Sequence, residues 1–132
     1  MASLKIHNSV IAACLAGAKS AYPNEFLGLL EGEKQGSGAA SSLIITRLIV
    51  PPGLSVSNFS ASYLDWLLPT ISNIWGTFHS HPGTSSLRLS RQDTLANSKE
   101  GGVHLLAAEP FTPEKIAAYD GKGRRLGFEV ID

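Results

Sequence analysis

The chain has a single cysteine, Cys14, among its 132 residues. A lone thiol makes no intrachain disulfide, which fits a reducing interior and removes thiolate from any metal chemistry. Excess charge of either sign is also missing: 11 Lys and Arg face 11 Asp and Glu, a formal +0 at pH 7. The basic residues are scattered, so there is no electrostatic footprint for nucleic acid or an acidic membrane. No apolar run reaches the ~20 residues of a membrane helix. The small apolar stretch "VIAACLAGA" follows a polar "KIHNS" with one lysine and leads into further patterned sequence without a cleavage break. It reads as a helix and not as a signal peptide, which makes the expected location cytoplasmic. Internal repeats, low-complexity tracts and interdomain linkers are absent too, so residues 1–132 read as one domain.

What is present favours a folded chain, since 43% of residues are apolar and only 17% charged. Leu4 and Ile6 alternate with polar residues as a short strand, and Asn8 is placed to cap a following helix. Ile11, Cys14, Leu15, Ala18 and Ala21 recur at helical spacing and predict a buried face that ends at Pro23. Cys14 lies on that face as a small buried hydrophobe. "EFLGLLEG", from Glu25 to Gly32, reads as a strand, and "GEKQGSGAASS" as a flexible hairpin connection to the β-branched strand "LIITRLIV". "SVSNFSASY" alternates weakly, and "LDWLLPTI" predicts one or two helical turns halted at Pro69. "IWGTFHSH" reads as a strand with Phe78 and Ser80 on one face and His79 and His81 on the other. "SRQDTLANSKE" opens as a helix with Ser90 at the N-cap and Asp93 in the first turn. "VHLLAA" reads as a buried strand, and "KIAAYDGKGRRLGFEVI" as two strands around "DGKG". The order predicts an α/β domain, a mixed sheet flanked by helices.

Residues two apart on a strand project to the same side, so His79 and His81 can present both imidazoles to one point. Asp93, at the start of the next helix, can return a carboxylate toward them. Two imidazoles and one carboxylate with an open fourth position is a recognised catalytic zinc arrangement. Amide hydrolysis also needs a group that takes a proton from the attacking water and delivers it to the departing amine. Glu25 is the best candidate, because a carboxylate at the head of an apolar strand is costly unless it faces a cleft or a partner. Ser90 is either a helix cap or a donor to the developing oxyanion. Taken singly, each residue has a plain explanation: strand histidines, a capped helix, a solvated charge at a strand end. The combination carries the inference.

With these residues in place the sequence resembles the JAMM metalloproteases, the catalytic branch of the MPN domain, and is most similar to the minimal archaeal members. The signature is an upstream glutamate, His-Ser/Thr-His-Pro, a short loop and Ser-x-x-Asp. The chain supplies Glu25 in "PNEFLGLLEG", then His79, Ser80, His81 and Pro82, then Ser90 and Asp93. The resemblance extends over nearly the whole chain. It implies a cytidine-deaminase-like fold and one zinc ion per chain, with His79, His81 and Asp93 as ligands. Glu25 becomes the general base and acid, and Ser90 the oxyanion donor. The implied activity is isopeptidase cleavage between the C-terminal glycine of a ubiquitin-like protein and a target lysine, and the implied partners are ubiquitin-like modifiers and their conjugates. In one respect the chain departs from the pattern: the loop from Pro82 to Ser90 is one residue longer than usual. Keeping the usual spacing would put Leu89 and Gln92 at the serine and aspartate positions, where neither side chain suits the role. The additional residue is therefore assigned to "GTSSLR".

Two further readings follow from the same family. One is a peptidase that releases an amino acid or peptide from a sulfur-carrier protein of ubiquitin fold; the other is a non-catalytic MPN-type scaffold, which predicts no bound metal. Iron in a two-histidine, one-carboxylate triad fits less well, since the order of ligands differs and the glutamate suits hydrolysis. His7 and His104 read as bystanders. Trp66 and Trp75 read as core or groove wall.

Overall fold

A computed structural model describes residues 3–50, 73–89 and 102–132. Ser90, Asp93, Trp66, the segment "SVSNFSASY" and the helix expected from Ser90 lie outside the described residues. Within them are eight strands, β1 (Ser3–His7), β2 (Leu27–Gln35), β3 (Ser42–Ile49), β4 (Ile74–His81), β5 (Val103–Ala108), β6 (Ile116–Asp120), β7 (Arg125–Leu126) and β8 (Glu129–Ile131), with one α-helix, α1 (Asn8–Ala21). They form one mixed sheet in the order β7-β6-β5-β4-β2-β3-β1-β8.

The apolar stripe of α1 puts Val10, Ile11, Cys14, Leu15 and Ala18 against the sheet. They meet Leu4 and Ile6 of β1, Leu43 and Ile45 of β3, Leu30 of β2, Phe78 of β4 and Leu105 of β5 in one buried cluster. Phe78, Ile6, Ile45 and Leu105 are each 0% exposed. Because strand side chains alternate between faces, a β4 residue that faces α1 is followed by one that faces away. Phe78 serves the core, and its neighbours Thr77 and His79 therefore lie on the opposite face.

Several expectations are corrected at element ends. The helix begins at Asn8, and His7 is the N-cap without a side-chain bond, so the anticipated Asn8 cap does not form. The backbone of Tyr22 closes the other end by donating to Ala18, ahead of Pro23. The strand expected from Glu25 starts at Leu27 and runs on to Gln35, because its polar second half pairs with β3 as far as Gln35↔Ser42. The connection once Gln35 is reached is correspondingly short, and it contains one 3₁₀ turn at Gly38–Ala40. The terminal segment is not only a hairpin: β6 and β7 pair around "DGKG", but β8 leaves them and adds in parallel to β1 at the opposite edge.

The joins that place the site are β2–β4 and β4–β5. β2 runs antiparallel to β4 with Leu27 opposite His79, and β5 runs parallel to β4 with His104 opposite Thr77. The start of β2 and the ends of β4 and β5 consequently share one end of the sheet. Crevices at the carboxyl ends of parallel strands are where open α/β sheets generally hold ligands.

Candidate metal centre

His79 and His81 close β4 on the face away from α1, as period-two alternation requires. His79 is 5% exposed and His81 is half-buried. Their Nε2 atoms lie 2.8 Å apart, and their ring centroids 4.7 Å apart with planes inclined by 38°. Two imidazole nitrogens at that separation either share a proton or share a cation. Neutral imidazole nitrogen is a preferred donor for zinc and its first-row neighbours. The donor chemistry of the pair therefore fits a zinc ion. Among the described residues no group of three or more His, Cys, Asp or Glu gathers about one point.

Glu25 precedes the neighbouring strand. It is exposed and stands two residues ahead of β2. The β2–β4 register runs past Leu27↔His79, since Ser80 N–H donates to the Phe26 carbonyl at 3.0 Å and Phe26 N–H donates to Ser80 Oγ at 2.9 Å. Glu25 is the residue just before Phe26 in the chain, and His81 the one just after Ser80. Leu27 shares the imidazole face with His79, and Phe26 is directed toward α1, against Gly17. Phe26 packs against the core cluster, its ring centroid 6.0 Å from that of Phe78.

Beneath the pair lies a third histidine that nothing in the sequence links to them. His104 is 1% exposed, and its ring centroid is 4.4 Å from that of His79 at an interplanar angle of 55°. Its Nδ1 is 2.5 Å from the Thr77 hydroxyl, which is itself buried. His104 is a packed strand residue, as expected, but it also forms the floor under the first imidazole. Only the β4–β5 register brings it there. Trp75, expected as core or groove wall, packs half-buried against the core cluster, with Lys34 Nζ 5.8 Å from its ring centroid.

The lengthened loop is tied down along its course. Gly83 adopts φ 86°, a backbone conformation that favours glycine, and its N–H donates to Glu109 Oε2 at 2.8 Å. Glu109 N–H donates to the Thr84 carbonyl at 2.9 Å, and Lys115 Nζ to the Ser85 carbonyl at 3.0 Å. The Tyr119 hydroxyl donates to the Leu87 carbonyl. Leu87 and Leu89 pack on Leu106, Ala117 and Tyr119. The loop toward Ser90 is thus laid across β5 and β6, and its apolar residues alternate with bonded backbone. Nothing local in the sequence marks Glu109, Lys115 or Tyr119 for this purpose. Cys14 lies in the core on the other side of the sheet, where burial pushes its thiol up to about 12.

Comparison with known proteins identifies relatives of this chain. The family described as prokaryotic homologues of the JAB domain matches residues 7–120. A probable metalloprotease of Haloferax volcanii is 30% identical over 120 residues, covering 89% of this chain and 73% of that protein. Among solved structures, a JAB1/MPN domain protein from Archaeoglobus fulgidus superposes with a TM-score of 0.69 at 27% identity, over 100% of both chains. A JAMM structure described as "a metalloprotease-like zinc site in the proteasome and signalosome" gives 0.68 at 27% identity, over 98% of this chain and 99% of the other.

Proposed function

The chain belongs to the prokaryotic JAB-domain family and is of the JAMM metalloprotease type, and on that premise we propose that it is a zinc-dependent isopeptidase. Its substrate is the bond between the C-terminal glycine of a ubiquitin-like protein and a target lysine. The observation that carries the reading is the meeting of His79 Nε2 and His81 Nε2 at 2.8 Å, with Glu25 one residue beyond the Phe26–Ser80 link to the adjoining strand. His79 and His81 would hold the ion, with Asp93 as the third ligand. When bound, zinc supplies Lewis-acid polarisation of the scissile carbonyl and acidifies the attacking water. Glu25 accepts the proton of that water and then delivers it to the lysine amine as the amine departs. Ser90 donates its hydroxyl to the oxyanion that develops on the carbonyl oxygen. His104 and Leu106, buried beside His79, limit access of bulk water from the sheet side.

Metal analysis of protein purified without added metal should find about one zinc per chain. Glu25→Gln should keep the metal and lose cleavage of a lysine-linked conjugate of a ubiquitin-like protein, whereas His79→Ala or Asp93→Ala should lose both. Full turnover by Glu25→Ala would sink the mechanism. If a carrier bearing a small C-terminal adduct is cleaved while the lysine-linked conjugate is not, the substrate becomes a sulfur-carrier protein instead.

A further inference from the structure

The middle residue of "HSH" points away from the imidazoles, yet it is the one that joins β4 to the chain carrying Glu25. Directly opposed residues of an antiparallel pair commonly exchange two backbone bonds. Here Ser80 N–H makes one of them, to the Phe26 carbonyl, while Phe26 N–H turns to the Ser80 side chain at 2.9 Å. Ser80 is 0% exposed, so water does not compete for its hydroxyl. Phe26 is therefore gripped at both its N–H and its C=O by one residue. Its ring is fixed as well, since it packs on Phe78 and meets α1 at Gly17. Glu25 is one peptide bond away.

We propose that Ser80 is a positioning residue of the proteolytic site: its buried hydroxyl, acting through the Phe26 amide, sets where the Glu25 carboxylate stands relative to His79 and His81. The inference rests on the role of Glu25 given above. Ser80 touches neither substrate nor metal. It acts from the opposite face of the sheet, as a supporting group that holds a reacting one. A proton shuttle loses rate steeply when it is displaced by even an ångström. The hydroxyl therefore governs the chemical step and leaves metal binding to the other face of β4.

The test compares Ser80→Ala with the pair Ser80→Thr and Ser80→Val. Thr and Val share a shape, so any steric cost of the added methyl groups cancels between them and the hydroxyl alone differs. Amide hydrogen exchange of Phe26 and the backbone order parameter of Glu25, measured on metal-free protein, read the link without any activity. The expected result is exchange at Phe26 about tenfold faster in Ala and Val than in wild type and Thr, with lower order at Glu25. Zinc content should be unchanged in all three. On a lysine-linked conjugate, kcat should fall by roughly a hundredfold in Ala and Val with little change in KM, and Thr should recover most of it. Wild-type exchange and order in Ser80→Val would overturn the proposal, as would equal kcat in Thr and Val. A wild-type protein that holds zinc but cleaves no conjugate would refute the isopeptidase reading, and the exchange and order measurements would still decide the role of Ser80.

Discussion

Replacing Gly17 by alanine sets two effects of opposite sign against one another. In an unhindered helix interior the change stabilises by roughly 0.5–1 kcal/mol, because glycine loses more backbone freedom on folding than alanine does. At Gly17 the new methyl group would stand 2.6 Å from Cζ of Phe26 and 2.7 and 2.8 Å from its Cε2 and Cε1 atoms. The ring cannot simply withdraw, since it packs on the fully buried Phe78 and its backbone is bonded at both ends to Ser80. Overfilling such a site costs about 1–3 kcal/mol. The clash wins, and the net expectation is a loss of about 1 kcal/mol. Ala12→Gly, on the exposed face of the same helix, supplies the propensity reference and should cost roughly 0.5–1 kcal/mol. Urea unfolding followed by circular dichroism measures both, with an unchanged m value confirming that the same transition is compared. Gly17→Ala should also lower cleavage while zinc content stays at the wild-type level, because Phe26 carries the strain to Glu25. A Gly17→Ala protein more stable than wild type by the full propensity gain would refute the reasoning. It would show that the Phe26 ring is not confined and cannot transmit position from α1 to the site.

Gly76→Ala should be far more severe, since a Cβ there would lie 1.7 Å from the Val103 carbonyl oxygen, a backbone atom held in the β4–β5 ladder. The expected loss is at least ~3 kcal/mol or failure to fold, and a wild-type unfolding midpoint would contradict the close approach of the two strands. Cys14, with its thiol pushed up to about 12 by burial, should resist alkylation at pH 8 in the native protein and react readily in urea. The same shift has a signed consequence for stability. The folded-state value lies above the ordinary 9.0, so the neutral thiol's contribution is complete below pH 9 and is lost as pH rises toward 12. The stability gap between wild type and Cys14→Ala should therefore close by up to ~1.4 kcal/mol per pH unit above pH 9, and a gap independent of pH would refute the shift.

Local chemistry made several parts of this protein legible in its sequence. β4 and β5 follow "IWGTFHSH" and "VHLLAA" residue for residue, because short runs rich in apolar and aromatic residues, each closed by a nearby proline, leave little alternative to buried strands. The sharing of one face by His79 and His81 follows from the strand period alone, and the buried stripe of α1 from the helical one. Strand ends were less legible: β2 starts at Leu27 and continues through polar Gln35, since its length is set by the β3 backbone it pairs with and not by its own hydrophobicity.

Everything that depends on which strand lies beside which was decided only by the tertiary structure. The segment that carries Glu25 is joined to the histidine strand because β2 adds antiparallel to β4, linking residues 54 apart in the chain through Phe26 and Ser80. His104 becomes the floor of the site because β5 pairs with β4, and Glu109, Lys115 and Tyr119 hold the lengthened loop because β5 and β6 pass beneath it. Likewise β8 leaves the hairpin next to it in sequence and completes the far edge beside β1. Backbone sterics and side-chain periodicity act over a few residues and are written in every window of the sequence. Strand pairing is settled by burial and backbone hydrogen bonding summed over the whole sheet, against the entropy of closing each loop, and no single window contains that sum.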